Sequence, residues 1–300
     1  MTAECATKAV IERDYATKIA RDAPKPMKPG DLSLDCCDAL LEVPDREALM
    51  TRLVEKGRGV LDEAARHQVV DLNARADVRV DWFGASRPGR PTVAFYGDLG
   101  CVGSHRLVLM AAAAGALAHN LNVAVFDEER HAAERRLRHA ARIRRAVARL
   151  SLWAAQQAAS PTELYLVGHG GGAWIAANCL DMGEVAAGVA VSATCSFGLR
   201  RRAAARLPKP LPRMAGPLLL MFGEDEPEAL RREMRAYNSA WQAAGLASWL
   251  VGLPGRNHLS ILDELAEADS WATLAVLKLT EGRIDELLPP DQASGPPTLH

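Results

Sequence analysis

The sequence predicts an α/β domain built on a mostly parallel central sheet with helices on both faces. Three observations carry that expectation. Short apolar runs of strand length alternate with helical stretches along most of the chain. Most of those runs are apolar throughout, as strands covered on both faces are. The connections that follow several of them hold glycine, acid or histidine, where sites in such sheets form.

Taken in order, residues 46–68 read as a helix, with Val54, Val60 and Leu61 as candidate buried positions. Segment 78–82 alternates apolar and polar residues, as a half-exposed strand does. Segments 92–96, 121–126, 164–167, 188–191, 218–222 and 249–251 are β-rich and suit buried strands. Helices are expected near 105–118, 130–158, 171–182, 226–244 and 259–280. In the second of these, Ala140, Ile143, Val147, Leu150 and Ala154 recur at helical spacing and mark the buried stripe. Prolines and glycine at Pro24, Pro26, Pro29 and Gly30 predict an irregular N-terminal arm over 1–45. The domain then covers 46–285, and a Pro- and Gly-rich tail over 286–300 is expected to be disordered.

At 300 residues with 49% hydrophobic content, the chain has material for one large core. A net charge of −1 supplies no global field toward nucleic acid or membrane. No apolar run suits a signal peptide or a membrane span. Cys5, Cys36, Cys37, Cys101, Cys179 and Cys195 lack C-x-x-C or zinc-like spacing, so reduced thiols, no metal and a cytoplasmic setting are expected. The arginines of 135–149 and of 200–206 read as solvated or paired faces. The second cluster falls where a lid could carry an arginine to an acidic substrate.

Residues 164–174 hold the most informative motif. A strand runs into Gly168-His169-Gly170-Gly171-Gly172 and then a helix. The spacing is that of G-x-S-x-G, a sharp turn that presents a serine hydroxyl, but glycine stands at the serine position. The run lacks the spacing of G-x-G-x-x-G and is followed by no Lys-Ser/Thr, which argues against phosphate or nucleotide cofactors. Downstream, one strand leads to Gly223-Glu224-Asp225-Glu226-Pro227 and the next to Gly255-Arg256-Asn257-His258. An acid and then a histidine complete the chain order nucleophile, acid, histidine. Asp225 is the expected acid, with Glu224 and Glu226 as neighbours one residue away. Asp225 also suits the cap of the helix that follows.

With these residues in place, the chain resembles α/β-hydrolases of the kynurenine formamidase and carboxylesterase type. The resemblance rests on Asp225-Glu226-Pro227-Glu228 with Arg232, Tyr237, Trp241 and Gly245, and on His258-Leu259-Ser260-Ile261-Leu262. Val43-Pro44-Asp45 and segment 78–82 extend it, giving coverage of roughly residues 43–282. It implies the α/β-hydrolase fold and a small aromatic or acyl-bearing molecule as partner, with no cofactor.

Two departures limit what the resemblance implies. Gly170 has no atom that can attack a carbonyl. The family's early loop reads His-Gly-Gly-x-Trp and donates amides to an oxyanion, whereas here it reads Tyr96-Gly97-Asp98-Leu99-Gly100. A carboxylate at Asp98 opposes developing negative charge. The amide of Gly171, beside His169 and Gly170, remains an oxyanion donor. Tyr96, Cys101 and Cys195 are candidate substrate-lining residues, and Asp127 reads as a solvated loop acid.

Three functions follow from these residues. In the first, His258 backed by Asp225 acts as general base without an acyl-enzyme, in hydrolysis, elimination, isomerisation or cyclisation. In the second, the protein is a non-catalytic descendant that binds a ligand or partner. In the third, Cys101 or a serine such as Ser192 is a displaced nucleophile. A small-molecule ligand is expected, with neither nucleic acid nor membrane as partner and a homo-oligomer left open.

Overall fold

Helix α1 (Arg46–Glu63) buries Leu49, Leu53 and Gly57, spaced one turn apart, together with Met50. The expected Val54, Val60 and Leu61 flank that stripe and are only partly buried. The helix stops at Glu63 rather than 68, because Ala64 turns extended and the chain enters strand β1 (His67–Asp71). This strand forms the edge of the sheet and is largely exposed, so it carries no apolar run to betray it. The computed structural model describes residues 43–74, 77–98, 105–128, 136–158, 163–193 and 215–287. The arm up to residue 42, the tail from 288, Cys101, Cys195 and the 200–206 arginines lie outside them.

Strands β2 (Val78–Phe83), β3 (Thr92–Asp98), β4 (Asn122–Glu128), β5 (Leu164–Gly170), β6 (Val185–Val191), β7 (Leu218–Gly223) and β8 (Ser248–Leu253) complete one sheet. Its order is β1-β2-β4-β3-β5-β6-β7-β8. Strand β2 pairs antiparallel with both neighbours, and every pairing from β4 to β8 is parallel. Strand β2 is buried, against the half-exposed expectation. Its polar residues face partners instead of solvent: Asp81 takes His67 Nε2 at 2.6 Å and Arg106, and Arg79 meets Asp127 at 3.3 Å. Burial raises the Asp81 carboxyl above its ordinary range, although His67 pulls the other way.

The parallel strands alternate between two cores. Val93, Phe95, Val123, Val125, Val167, Val189 and Val191 face α1, α2 (His105–Ala118), α6 (Ile261–Ala266) and α7 (Trp271–Thr280). Ala94, Tyr96, Phe126, Leu166, Ala190 and Leu220 face α3 (Arg136–Ala158), α4 (Gly171–Asn178) and α5 (Glu228–Ala243). Covering both faces explains why the strands read as unbroken apolar runs.

All five residues of the stripe read on α3, from Ala140 to Ala154, are buried. Its described arginines are largely engaged: Arg142 with Glu128 at 3.1 Å, Arg144 with Asp181 at 2.5 Å, and Arg149 donating to the Leu72 carbonyl at 2.7 Å. The single helix expected over 259–280 is two, because Ser270 starts α7 anew by accepting from the Thr273 amide at 3.1 Å.

Candidate functional site

The centre of the site is the passage from β5 to α4. Gly170 sits there with φ 60° and ψ −124°, a left-handed backbone that a side chain occupies only with strain. The flanking glycines are fixed by packing. A Cβ on Gly168 would stand 2.2 Å from the Gly172 carbonyl oxygen, and one on Gly172 would stand 2.4 Å from that of Tyr96. Strand-to-helix closure this tight is what a nucleophile elbow requires. The motif folds as a tight strand-to-helix turn with Gly170 at its tip.

The acid and histidine loops are brought together by backbone contact. The Glu224 amide donates to the Leu253 carbonyl at 3.0 Å, and the Asp225 amide donates to that of Arg256 at 3.0 Å. At Gly223 a Cβ would stand 1.9 Å from the Arg256 oxygen, so only glycine lets the loops close. The histidine loop is further set by Asn257, whose side-chain oxygen accepts from the Leu259 and Ser260 amides at 3.1 and 2.9 Å. Arg256 Nε reaches Glu264 at 2.7 Å and anchors the loop to α6.

This arrangement corrects the expected acid. Asp225 points to solvent, and Glu226 is 3% exposed. Glu226 Oε1 lies 3.2 Å from His258 Nδ1, and its Oε2 accepts from the Gly223 amide at 3.2 Å. Nor does Asp225 cap α5; Pro227 occupies that position and no side chain caps the helix. The acid after β7 is displaced by one residue because the turn that docks on Arg256 turns Glu226 inward.

His258 is 1% exposed. Nδ1 donates to the Glu226 carboxylate, which leaves Nε2 as the ring nitrogen turned away from it. That Nε2 is buried and meets no hydrogen-bond partner among the described residues. Its neighbour is the elbow itself: the rings of His169 and His258 are 4.7 Å apart, and His169 Nε2 donates to the His258 carbonyl at 2.7 Å. Burial, and then the proximity of His258, push the His169 ring down to about 3, so it is neutral at ordinary pH.

The other expected site residues separate. Gly97 and Asp98 lie beside His169 and Gly170 in the β3–β5 register, as the early-loop reading requires, but the side chain of Asp98 lies outside the described set. Gly171 opens α4 directly after the tip. Tyr96 does not line the elbow with its hydroxyl. That side chain is 3% exposed, and its oxygen is bound by Glu128 and by His139 at 2.9 Å. Burial opposes ionisation of Glu128, but His139, Tyr96 and Arg142 together hold its carboxyl below the ordinary range. Asp127 pairs with Arg79. Ser192, on the residue after β6, has φ 48° and a fully buried hydroxyl without a partner among the described residues. Its positive φ gave no sign in the sequence, since glycine or asparagine is the usual marker of that backbone.

Among the described residues no cluster of three or more His, Cys, Asp or Glu could hold a metal ion. None of their helices is long and apolar enough to cross a membrane.

No protein-family model and no curated protein matches the sequence. Solved structures do match. A proposed thioesterase from Silicibacter sp. TM1040 aligns over 81% of this chain and 98% of its own, at 14% identity and a TM-score of 0.63. An esterase from Pyrobaculum calidifontis aligns over 86% of this chain and 99% of its own, at 14% identity and a TM-score of 0.57. An esterase of the bacterial hormone-sensitive lipase family aligns over 79% and 98%, at 16% identity and a TM-score of 0.56. Together with the strand order and the elbow, these likenesses define the class: the chain has the α/β-hydrolase fold.

Proposed function

We propose that the protein is an enzyme that uses the hydrolase site without an acyl-enzyme intermediate. Gly170 at the elbow offers no nucleophile, and His258 backed by Glu226 is the general base. One observation carries the reading: His258 Nε2 is buried and lacks a partner among the described residues, while Nδ1 is held by Glu226 and the ring packs on that of His169. A base so placed activates water, or takes a proton from a substrate carbon or hydroxyl, and contributes about 10²–10⁴-fold. The Gly171 amide is the oxyanion donor that remains in this scheme. The reactions compatible with it are hydrolysis, elimination, isomerisation and cyclisation.

The resemblance to kynurenine formamidases and carboxylesterases favours a small aromatic or acyl-bearing substrate with no cofactor, and the scattered cysteines favour a cytoplasmic setting. A panel of small aryl esters and amides tests the reading: His258→Ala abolishes turnover of whichever is accepted, and unchanged turnover refutes the base. A second reading, a ligand-binding protein that has given up catalysis, is favoured by the 1% exposure of His258. It predicts saturable binding of such molecules without turnover in either form.

A further inference from the structure

The sheet ends on one side at β1, and that edge is open among the described residues. The Leu72 amide donates to the Val78 carbonyl at 2.9 Å, and the Gly84 amide to that of Arg66 at 3.3 Å. Main-chain direction alternates along an antiparallel strand, so His67, Val69 and Asp71 turn their amides and carbonyls away from β2. No main-chain group of the described residues meets them there. Edges are commonly blunted by lysine, proline or a bulge. The run His-Gln-Val-Val-Asp has neither lysine nor proline, and its register with β2 is unbroken.

The surface around this edge is apolar where it is most exposed. Three of the five β1 residues are exposed, whereas β8 at the opposite edge exposes none. Among the described residues the exposed large apolar side chains are Val69 at 53% and Leu152 at 67%, and both belong to this end of the sheet. Leu152 lies on α3 between Arg149, which donates to the Leu72 carbonyl, and Trp153, whose ring meets Trp82 of β2 edge-on at 4.8 Å.

The strand is also complementary to itself. Laid antiparallel about a twofold axis at Val69, it sets Val69 against its own copy and His67 against Asp71 on either side, an imidazole opposite a carboxylate twice over. In that register every outward amide and carbonyl of the three residues falls in a hydrogen-bonded pair. A slip of one residue sets outward groups against inward ones, and a slip of two puts His67 opposite Val69 and leaves Asp71 without a partner. We propose that two copies of the chain join through β1 as a symmetric dimer with one continuous sheet. The twofold closes the assembly and removes the open edge. It also sets the two α3 helices, each with Leu152, on the same face on either side of the seam. The interface uses no residue of the elbow and is independent of whether the protein is catalytic.

The test is sedimentation velocity of the full chain at rising concentration, which shows a dimer for the wild type. Val69→Pro removes an outward amide and spares the β1–β2 ladder, and Val69→Lys sets like charges opposite one another. Each weakens the dimer about tenfold or more, with the far-UV circular dichroism of the wild type retained. A covalent probe fixes the register. Paired Cα atoms at the twofold stand about 5.5 Å apart, within reach of a disulfide. Mild oxidation of Val69→Cys therefore yields a dimer whose linked peptides join position 69 of one copy to position 69 of the other, and Val70→Cys gives no such link at its own position. A monomer at every concentration, a dimer that survives both substitutions at Val69, or absence of the link at position 69 overturns the proposal.

Discussion

Glu226 Oε1 lies 3.2 Å from His258 Nδ1, with both side chains withdrawn from solvent, while the adjacent Asp225 faces outward. The pair spans two loops, and each loop is held to the other by main-chain bonds. A buried carboxylate behind a buried imidazole fixes the orientation of the ring.

That relationship separates two neighbouring carboxylates. Glu226→Gln lowers kcat by about 10²–10⁴-fold, the range a positioned base supplies. Asp225→Asn leaves kcat within about twofold of wild type, because an exposed loop acid away from such features contributes little. Steady-state kinetics of the two variants on one accepted substrate checks both values.

Gly170→Ser restores the side chain that the elbow lacks, at a cost. The backbone at φ 60° and ψ −124° strains any residue with a Cβ, and the expected loss of stability is about 1–3 kcal/mol by urea unfolding. If the acid and histidine are in working order, the variant also gains a burst of acyl-enzyme with activated esters. A variant as stable as wild type would contradict the strain assigned to the elbow.

Gly223→Ala drives a methyl group into the Arg256 carbonyl. The loops must separate, which costs about 1–3 kcal/mol as overpacking does. The same movement draws His258 from Glu226, so kcat falls while Asp225→Asn in the same assay does not lower it.

Acid sensitivity follows from His169. In the unfolded chain its ring takes a proton near 6.5, whereas the folded ring resists until about 3. Between those values the unfolded state binds more protons, so stability is full above about 6.5 and falls as pH drops toward 3. The slope from this group is at most about 1.4 kcal/mol per pH unit. Urea unfolding between pH 7.5 and 5, on the order of the window set by linkage, shows a shallower slope for His169→Gln than for wild type.

Much of the fold is legible in the sequence, for reasons that differ between elements. The α3 stripe is legible because a helix buried on one side repeats at 3.6 residues, and Ala140 through Ala154 keep that period. Strand β1 is hidden because an exposed edge needs no apolar run. Strand β2 reads as half-exposed because ion pairs occupy its polar positions. At the site, chain order is enough to bring an acid and His258 forward, yet it cannot choose between Asp225 and Glu226. That choice lies in the contact of Gly223 with Arg256, two residues far apart in sequence. Ser192 is illegible for a similar reason, since its conformation is imposed by neighbouring strands.

The most direct test of catalysis without an acyl-enzyme is the intact mass of the protein, quenched during turnover of an aryl ester. The account predicts unmodified mass in wild type throughout turnover, with that turnover lost in His258→Ala. An acyl adduct on Ser192, on a cysteine or on any other side chain, formed and lost at the rate of turnover, would contradict it.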